Sequence, residues 1–272
     1  MKILKIVSAF FISSTILVAC STNAVTGRKT LQLLPESELQ SMGSQQYKSF
    51  LSQSKVVSPS ADRDAEMVRR VGQRLVTAIN SYYAQIGKSR ELQGYNWEYN
   101  LVDDKQVNAW CMPGGKIVVY TGLLPIAQNE ASLAIVLGHE ISHALFHHGN
   151  ERMSQGLIQQ GLGTALAVAV SSKPAETQNL FLQAYGVGSN VFGVLPFSRK
   201  DESEADHYGL IWAAMAGYNP QEAIPFWERM ASQGGGSKPP AFLSDHPADA
   251  QRIADIKKWM PEALKYYKPI RK

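Results

Sequence analysis

The chain has 272 residues, of which 44% are hydrophobic, which suits one sizeable globular domain and is too short for two enzymatic ones. It has 27 basic and 23 acidic residues, and two of the basic ones, Lys2 and Lys5, lie in an N-terminal segment that we expect to be removed. Because the remaining excess is small and the basic residues are scattered, the sequence argues against a nucleic-acid partner.

Residues 1–19 have the organisation of a secretory signal peptide, with two lysines, an apolar run and a small residue before Cys20. The run is shorter than the about 20 residues that span a membrane. Residues 17–20 (LVAC) resemble the bacterial lipobox, whose cysteine is acylated, and Ser21 resembles the outer-membrane sorting pattern. The alternative is an ordinary signal peptide with an incidental cysteine. We therefore predict a lipid anchor at Cys20 and a location in the cell envelope, on the periplasmic face of the outer membrane.

The residues after the predicted anchor divide into a tether and a domain. Residues 20–34 mix polar and small residues without periodicity, which suits a tether, and we expect the domain to cover residues 35–272. If Cys20 is acylated, Cys111 has no partner, so we expect no internal disulfide. The apolar neighbours of Cys111 indicate a buried side chain rather than a nucleophile.

The periodicity of the domain predicts an α+β fold in which helices predominate. A helical stripe of apolar residues is formed by Val68, Val71, Leu75 and Ile79. Alternating apolar residues from Trp97 to Leu101 and the β-branched run Lys116–Tyr120 predict two or three short strands. Helical patterns follow. The apolar segment Gly156–Val170 is interrupted by glutamine and glycine, and we interpret it as a buried or amphipathic helix.

The helical stretch Ala131–His148 contains the pattern H-E-x-x-H over residues 139–143. Residues four apart lie on one face of a helix, so His139 and His143 can bind one zinc ion. Glu140 then lies beside the site, where a carboxylate takes a proton from the attacking water. This spacing predicts an active-site helix.

The third ligand cannot be one of the histidines that follow the motif. The metzincin class needs a glycine and a histidine at positions occupied here by Phe146 and Gly149, which excludes that class. His147 is two helical turns from His139, about 12 Å along the axis, which is too far for one ion. We therefore expect His147 and His148 to support the site or lie at the surface.

Acidic residues near position 200 offer the remaining ligand. Ser198 and Asp201 form a predicted capping box, so a helix starts there. On it Glu202 and Asp206 share a face, whereas Glu204 points elsewhere. One carboxylate can bind zinc while its neighbour orients a ligand imidazole. The alternative is a solvated acidic helix start that the helix dipole favours.

The pattern resembles a known family, the gluzincin peptidases that include the HtpX heat-shock protease, the CAAX prenyl protease and the Oma-type proteases. The resemblance covers most of residues 36–257, and its motifs are Asn108–Gly115, His139–His143, Glu202–Asp206 and Ser244–Pro247 with Arg252. It implies that Glu202 is the metal ligand and that Asp206 and Arg252 support the ligands. It also implies that Asn108, Gly114 and Gly115 bind substrate. The chain looks like the periplasmic lipoprotein branch of the family.

His246 stands where this family has a His-Pro motif, after a glycine-rich loop. Its imidazole has three possible roles, which we rank in this order. It stabilises the oxyanion of the transition state, it caps the open position of the zinc in a resting state, or it caps the following helix. The first role makes His246 a catalytic residue beside Glu140.

These features predict an endopeptidase with one Zn²⁺ per chain. Its expected substrates are unfolded or misassembled envelope proteins, which the strand Lys116–Tyr120 could bind by backbone pairing. A zinc-stabilised chaperone or assembly factor with little proteolysis is the alternative, but a structural site needs no base such as Glu140. An aminopeptidase would need carboxylates that anchor a free amine, and none is evident. The expected partners are these substrates and the membrane, through Cys20, with no nucleic acid.

Overall fold

The computed structural model of the chain describes residues 20–159, 174–185, 197–235, 240–247 and 250–270. Within these ranges the strands are β1 (Cys20–Thr22), β2 (Lys29–Leu31), β3 (Val56–Val57), β4 (Glu98–Val102), β5 (Ala109–Met112) and β6 (Lys116–Tyr120). The α-helices are α1 (Glu36–Gln53), α2 (Arg63–Gln85), α3 (Leu124–Ala127), α4 (Glu130–Leu145), α5 (His148–Gln159), α6 (Pro174–Ala184), α7 (Arg199–Met215), α8 (Ala223–Ser232), α9 (Ala241–Asp245) and α10 (Ala250–Tyr266). Short 3-10 turns lie at Ser89–Leu92, Thr121–Leu123, Pro220–Glu222 and Gln233–Gly235. The predicted α+β fold with predominant helix is confirmed.

Helix α2 is amphipathic and carries the predicted apolar stripe. Asp62 caps it by accepting hydrogen bonds from the backbone N–H groups of Asp64 and Ala65, both at 2.9 Å. The stripe residues Val68, Val71, Leu75 and Ile79 are all fully buried. They belong to the main core, and α2 packs against α4 and β4. The prediction of this helix is confirmed.

Helix α4 is buried around its whole circumference, from Ser132 to Leu145. Asn129 caps it by accepting a hydrogen bond from the backbone N–H of Ser132 at 2.8 Å. A helix without a solvated face lies inside a protein. Accordingly α4 contacts α2, β5 and α7.

Helices α4 and α7 approach each other closely because each has a glycine at the contact. A Cβ atom at Gly138 would lie 2.8 Å from the carbonyl oxygen of Gly209, and one at Gly209 would lie 2.9 Å from the amide nitrogen of His139. No other residue fits at either position without a shift of the backbone. The close approach brings the acidic start of α7 within reach of the histidines on α4.

A four-stranded sheet has the order β3-β4-β6-β5, in which β4 and β6 are parallel and the other pairs are antiparallel. The strands predicted between Trp97 and Tyr120 are confirmed. The proposal that Lys116–Tyr120 pairs with a substrate is wrong, because both edges of this strand already pair with β4 and β5. Within the described residues the strand at that edge of the sheet is β5.

Residues 20–34, which we expected to be an irregular tether, fold against the domain. Strands β1 and β2 pair antiparallel with Ser21 opposite Thr30, and Thr30 is 2% exposed. Arg28 forms ion pairs at 2.8 Å with three carboxylates, those of Glu151, Asp201 and Glu204. These contacts could not be predicted from the sequence, because the strands are three residues long and the partners of Arg28 are distant in the chain. The division into signal peptide, tether and domain stays a prediction, since residues 1–19 lie outside the described ranges.

The active-site helix is shorter than predicted. It ends at Leu145 rather than His148, because His147 adopts a left-handed conformation with φ 57° and α5 begins at the next residue. His147 therefore leaves the face that carries His139 and forms an ion pair with Glu36 at 2.9 Å. The turn at His147, between α4 and α5, sets the position of His148.

Helix α5 contains the beginning of the apolar segment Gly156–Val170, and the remainder of that segment lies outside the described residues. Among the described helices, none combines the length and the apolar character needed to cross a membrane.

Candidate metal centre

Four side chains from three segments converge in the interior: His139 and His143 on α4, Glu202 in the first turn of α7, and His246 after α9. One ligand atom of each lies within 4.8 Å of the others. His139 Nε2 is 3.0 Å from His143 Nε2 and 3.1 Å from His246 Nδ1. Glu202 Oε1 is 2.8 Å from His246 Nδ1 and 3.3 Å from His143 Nε2.

The donor set fits a zinc ion in kind, and its atoms are close enough together to reach one ion. Zinc takes imidazole nitrogen and carboxylate oxygen at about 2.0–2.2 Å in a tetrahedron, whose edges are then about 3.3–3.6 Å long. The separations within this cluster run from 2.8 to 3.6 Å. Two imidazole Nε2 atoms that face each other are unusual partners for a hydrogen bond but usual ligands of one ion. The residues therefore suit a zinc site in which the ligand atoms lie slightly farther apart than they do here.

The protonation states suit metal binding. Burial lowers the pKa of His139 and of His143 well below the ordinary histidine value, which keeps both rings neutral. Burial alone would raise the pKa of Glu202, but the charges of His246 and Arg252 hold it well below its usual range. Two neutral imidazoles and an ionised carboxylate are the forms that ligate metals.

Glu140 lies beside the cluster and is 4% exposed. Its Oε1 is 3.5 Å from His246 Nε2. It also lines a narrow cavity, together with Asn108, Ala109, Trp110, Cys111, His143, Gly149, Tyr185, Phe197 and His246. The carboxylate thus lies where the cluster meets the cavity, as a general base requires.

Asp206 and Arg252 support His139 from behind. His139 Nδ1 lies 2.9 Å from Asp206 Oδ1, and Arg252 Nη2 donates to the same oxygen at 2.6 Å. Burial raises the pKa of Asp206 to about 6, against the opposing effect of Arg252. Arg252 also pairs with Glu202 at 3.1 Å and lies 3.3 Å from the ring centroid of Trp227. A carboxylate on the outer nitrogen fixes the tautomer of a ligand histidine.

His148 contacts the other ligand histidine, and its Nδ1 lies 2.9 Å from His143 Nδ1. It is fully buried, so of the two roles expected from the sequence it has the supporting one. Its outer nitrogen, Nε2, lies 2.9 Å from Glu204 Oε2. Sequence reasoning considered Glu204 but missed its link to His148, because the turn at His147 cannot be predicted from the pattern.

The predicted substrate-binding residues separate into two groups. Asn108 lines the cavity next to Glu140. Gly114 and Gly115 instead form the turn between β5 and β6, with φ of 79° and 81°, and they do not belong to the residues that line this cavity. A Cβ atom at Gly115 would lie 2.6 Å from the ring of Trp97, so the glycines serve the turn and its packing.

His246 is near the metal ligands, which disfavours a role limited to capping a helix. Its backbone N–H ends α9 by donating to Phe242 O at 2.9 Å. His246 is 4% exposed, and its Nδ1 faces the ligand atoms of His139 and Glu202. This position corresponds to the fourth corner of the tetrahedron, which supports the role of a cap more than that of an oxyanion donor.

Comparison with known proteins is consistent with this centre. Mitochondrial metalloendopeptidase OMA1 of Saccharomyces cerevisiae is 37% identical over 183 residues, which is 65% of this chain and 50% of the yeast protein. Metalloendopeptidase OMA1 of Homo sapiens is 27% identical over 250 residues, 89% of this chain and 46% of the human one. The Beta-barrel assembly-enhancing protease of Escherichia coli K12 is 27% identical over 198 residues, 71% of this chain and 38% of the relative.

The chain spans about half, or less, of the length of these curated relatives. Their names support the predicted enzyme class, a metalloendopeptidase. Residues 63–260 match the model of Peptidase family M48, and this range contains all four residues of the cluster. The resemblance drawn from the sequence motifs is thereby confirmed, and the chain belongs to Peptidase family M48.

Proposed function

We propose that this chain is a zinc-dependent endopeptidase. The observation that carries the proposal is the convergence of His139, His143 and Glu202, with Glu140 at the border between them and the cavity. Zinc at this place would polarise the scissile carbonyl and make a water molecule easier to deprotonate. One ion per chain satisfies the three ligands, and the fourth position is the one that catalytic sites keep for water or substrate.

The residues of the chain supply the remaining chemistry. Glu140 takes the proton of the attacking water and passes it to the leaving amine, for which its place at the cavity is suited. Asp206 and Arg252 hold His139 in the orientation of a ligand. His246 covers the cluster in this conformation and has to move before a substrate carbonyl can approach.

Strand β5 is the surface on which we propose that the substrate binds. Its residues Ala109 to Cys111 line the same cavity as Glu140, and it is the terminal strand of the sheet in the described part of the chain. An extended segment can add to such an edge by backbone hydrogen bonds, which tolerate many sequences. Asn108 marks the beginning of this edge.

We assign unfolded or misassembled cell-envelope proteins as the substrate class. Backbone pairing requires an extended, accessible segment, which an unfolded or misassembled protein offers more readily than a correctly folded one. The relative named Beta-barrel assembly-enhancing protease supports an envelope role, and the lipobox-like residues 17–20 support a lipid anchor at Cys20 on the periplasmic face of the outer membrane.

Mass spectrometry of unfolded proteins incubated with the zinc-loaded protein tests this function. Internal cleavage by the wild type and none by Glu140→Gln is the expected result. Zinc binding with protection from aggregation but without cleavage would favour the zinc-stabilised chaperone instead.

A further inference from the structure

The second ligand histidine is held through a chain of hydrogen bonds that leads away from the metal cluster. His143 Nδ1 lies 2.9 Å from His148 Nδ1, and His148 Nε2 lies 2.9 Å from Glu204 Oε2. Arg28 Nε donates to this same oxygen at 2.8 Å. The chain thus runs from α4 through α5 and α7 to the N-terminal hairpin β1–β2.

The positions of the nitrogen atoms fix the tautomers. His143 can ligate through Nε2 only if its hydrogen is on Nδ1, so Nδ1 donates. His148 must then accept at Nδ1 and carry its own hydrogen on Nε2, which donates to Glu204. A neutral His148 is the only state of this residue that is compatible with a ligating His143.

Arg28 anchors the far end of the chain. Its guanidinium also donates to Glu151 and Asp201, both at 2.8 Å, so one cation holds three carboxylates together. A second group of metal-ligand types is formed by His148, Asp201 and Glu204. The Arg28 guanidinium, rather than a metal ion, neutralises the two carboxylates of this group.

The two ligand histidines have parallel arrangements. His139 reaches the carboxylate of Asp206 directly, and that carboxylate is held by Arg252. His143 reaches the carboxylate of Glu204 through one intervening imidazole, and that carboxylate is held by Arg28. Each ligand is therefore oriented by a carboxylate with an arginine behind it.

We propose that His148, Glu204 and Arg28 are positioning residues of the zinc site, and that the hairpin β1–β2 is consequently a structural part of this site. The proposal rests on the proposed function, since it assumes that His143 ligates zinc. It means that the segment directly after the predicted lipid anchor affects metal affinity, although it contributes no ligand.

Zinc affinity of the full chain, measured by competition with a chromogenic chelator, tests the proposal. His148→Phe removes the acceptor that faces His143, and we expect the zinc Kd to rise by about 10- to 100-fold, the usual effect of losing such a partner. His148→Asn keeps an acceptor at the place of Nδ1 but loses the contact with Glu204, so we expect it to reduce the loss to about the 3- to 10-fold deficit of Arg28→Gln. Arg28→Gln should raise Kd by about 3- to 10-fold. The effect is smaller because Arg28 reaches His143 only through Glu204 and His148. The matched control is Lys29→Gln, an exposed cation on the same hairpin, which should leave Kd within twofold.

The absorption spectrum of the cobalt-substituted protein gives a second readout that a merely structural role would not move. Rotation of the His143 ring changes the cobalt ligand field, so the bands should shift in His148→Phe and return in His148→Asn. If His148→Phe does not fold, Arg28→Gln and Glu204→Ala, which change partly exposed side chains, decide the question.

Failure of the positioning chain can be distinguished from failure of the proposed function. A wild type that binds no zinc would remove the proposed function itself. A wild type that binds zinc, with variants of His148, Glu204 and Arg28 whose Kd and cobalt spectrum match it, would overturn only the positioning chain.

Discussion

Replacement of His246 by alanine separates the two active-site roles of this residue. The imidazole lies among the metal ligands, with Nδ1 at 2.8 Å from Glu202 and at 3.1 Å from His139. Its ring stacks on Phe197 at 5.5 Å and packs on Phe242 at 4.7 Å between centroids. In this conformation a substrate can reach the zinc position only after these contacts break.

The contacts set the size of the expected effect. The hydrogen bond to an ionised carboxylate contributes about 1.5–3 kcal/mol, and the aromatic packing adds about 0.5–1.5 kcal/mol. Ordering the side chain costs about 1 kcal/mol, which leaves about 1–3.5 kcal/mol in favour of the covered state. Since about 1.4 kcal/mol corresponds to a factor of ten, we expect His246→Ala to raise kcat/KM by about 5- to 300-fold.

Steady-state cleavage of a fluorescently labelled unfolded protein measures this change, with zinc content determined on the same samples. His207→Ala is the control, because His207 is on α7 but pairs with Glu262 away from the cluster. A fall in kcat of about 10²–10³ with little change in KM would refute the cap and identify an oxyanion donor. Kinetics within twofold of the wild type would exclude His246 from the site.

Three further predictions concern the metal and the anchor. Glu140→Gln should retain one zinc and lose proteolysis, whereas His139→Ala should lose both; loss of the metal from His139→Ala with activity intact would contradict the assigned site. Glu202→Ala should lose zinc at micromolar concentration, and Glu204→Ala should retain it with weaker affinity; mass spectrometry of the native protein distinguishes the two, and the opposite order would show that the wrong face of α7 was assigned. Cys20→Ser should release the protein from membranes, and a variant that still sediments after a carbonate wash would show that another segment is the anchor.

The features of the site that follow local periodicity could be predicted from the sequence. His139, Glu140 and His143 lie within one helical turn of each other, so helix geometry alone places them together. The capping box at Ser198 and Asp201 likewise fixed the start of α7, and the structure shows it with the hydrogen bonds of both partners present. With the start of α7 known, helix geometry places Glu202 and Asp206 on one face of it.

The features that depend on long-range packing could not be predicted. The β-branched residues of Lys116–Tyr120 predicted a strand. Its position between β4 and β5 depends on the order of strands in the sheet, which periodicity does not encode. Arg28 lies in a segment without periodicity, and its three partners are more than a hundred residues away in sequence. Only the folded chain brings Arg28 and these three carboxylates together.

The buried charges around the cluster explain why such distant parts of the chain participate in one site. A carboxylate or a guanidinium in the interior is costly unless it has a partner of opposite charge and satisfied hydrogen bonds. Arg252 is the arginine partner of both Glu202 and Asp206. Glu204 meets the same requirement through the hydrogen bond with His148 and through Arg28, which, despite its burial, contribute to lowering its pKa to about 2. Each carboxylate that fixes a ligand histidine therefore needs a cation of its own. The hairpin β1–β2 and helix α10 supply these two cations from opposite ends of the described chain.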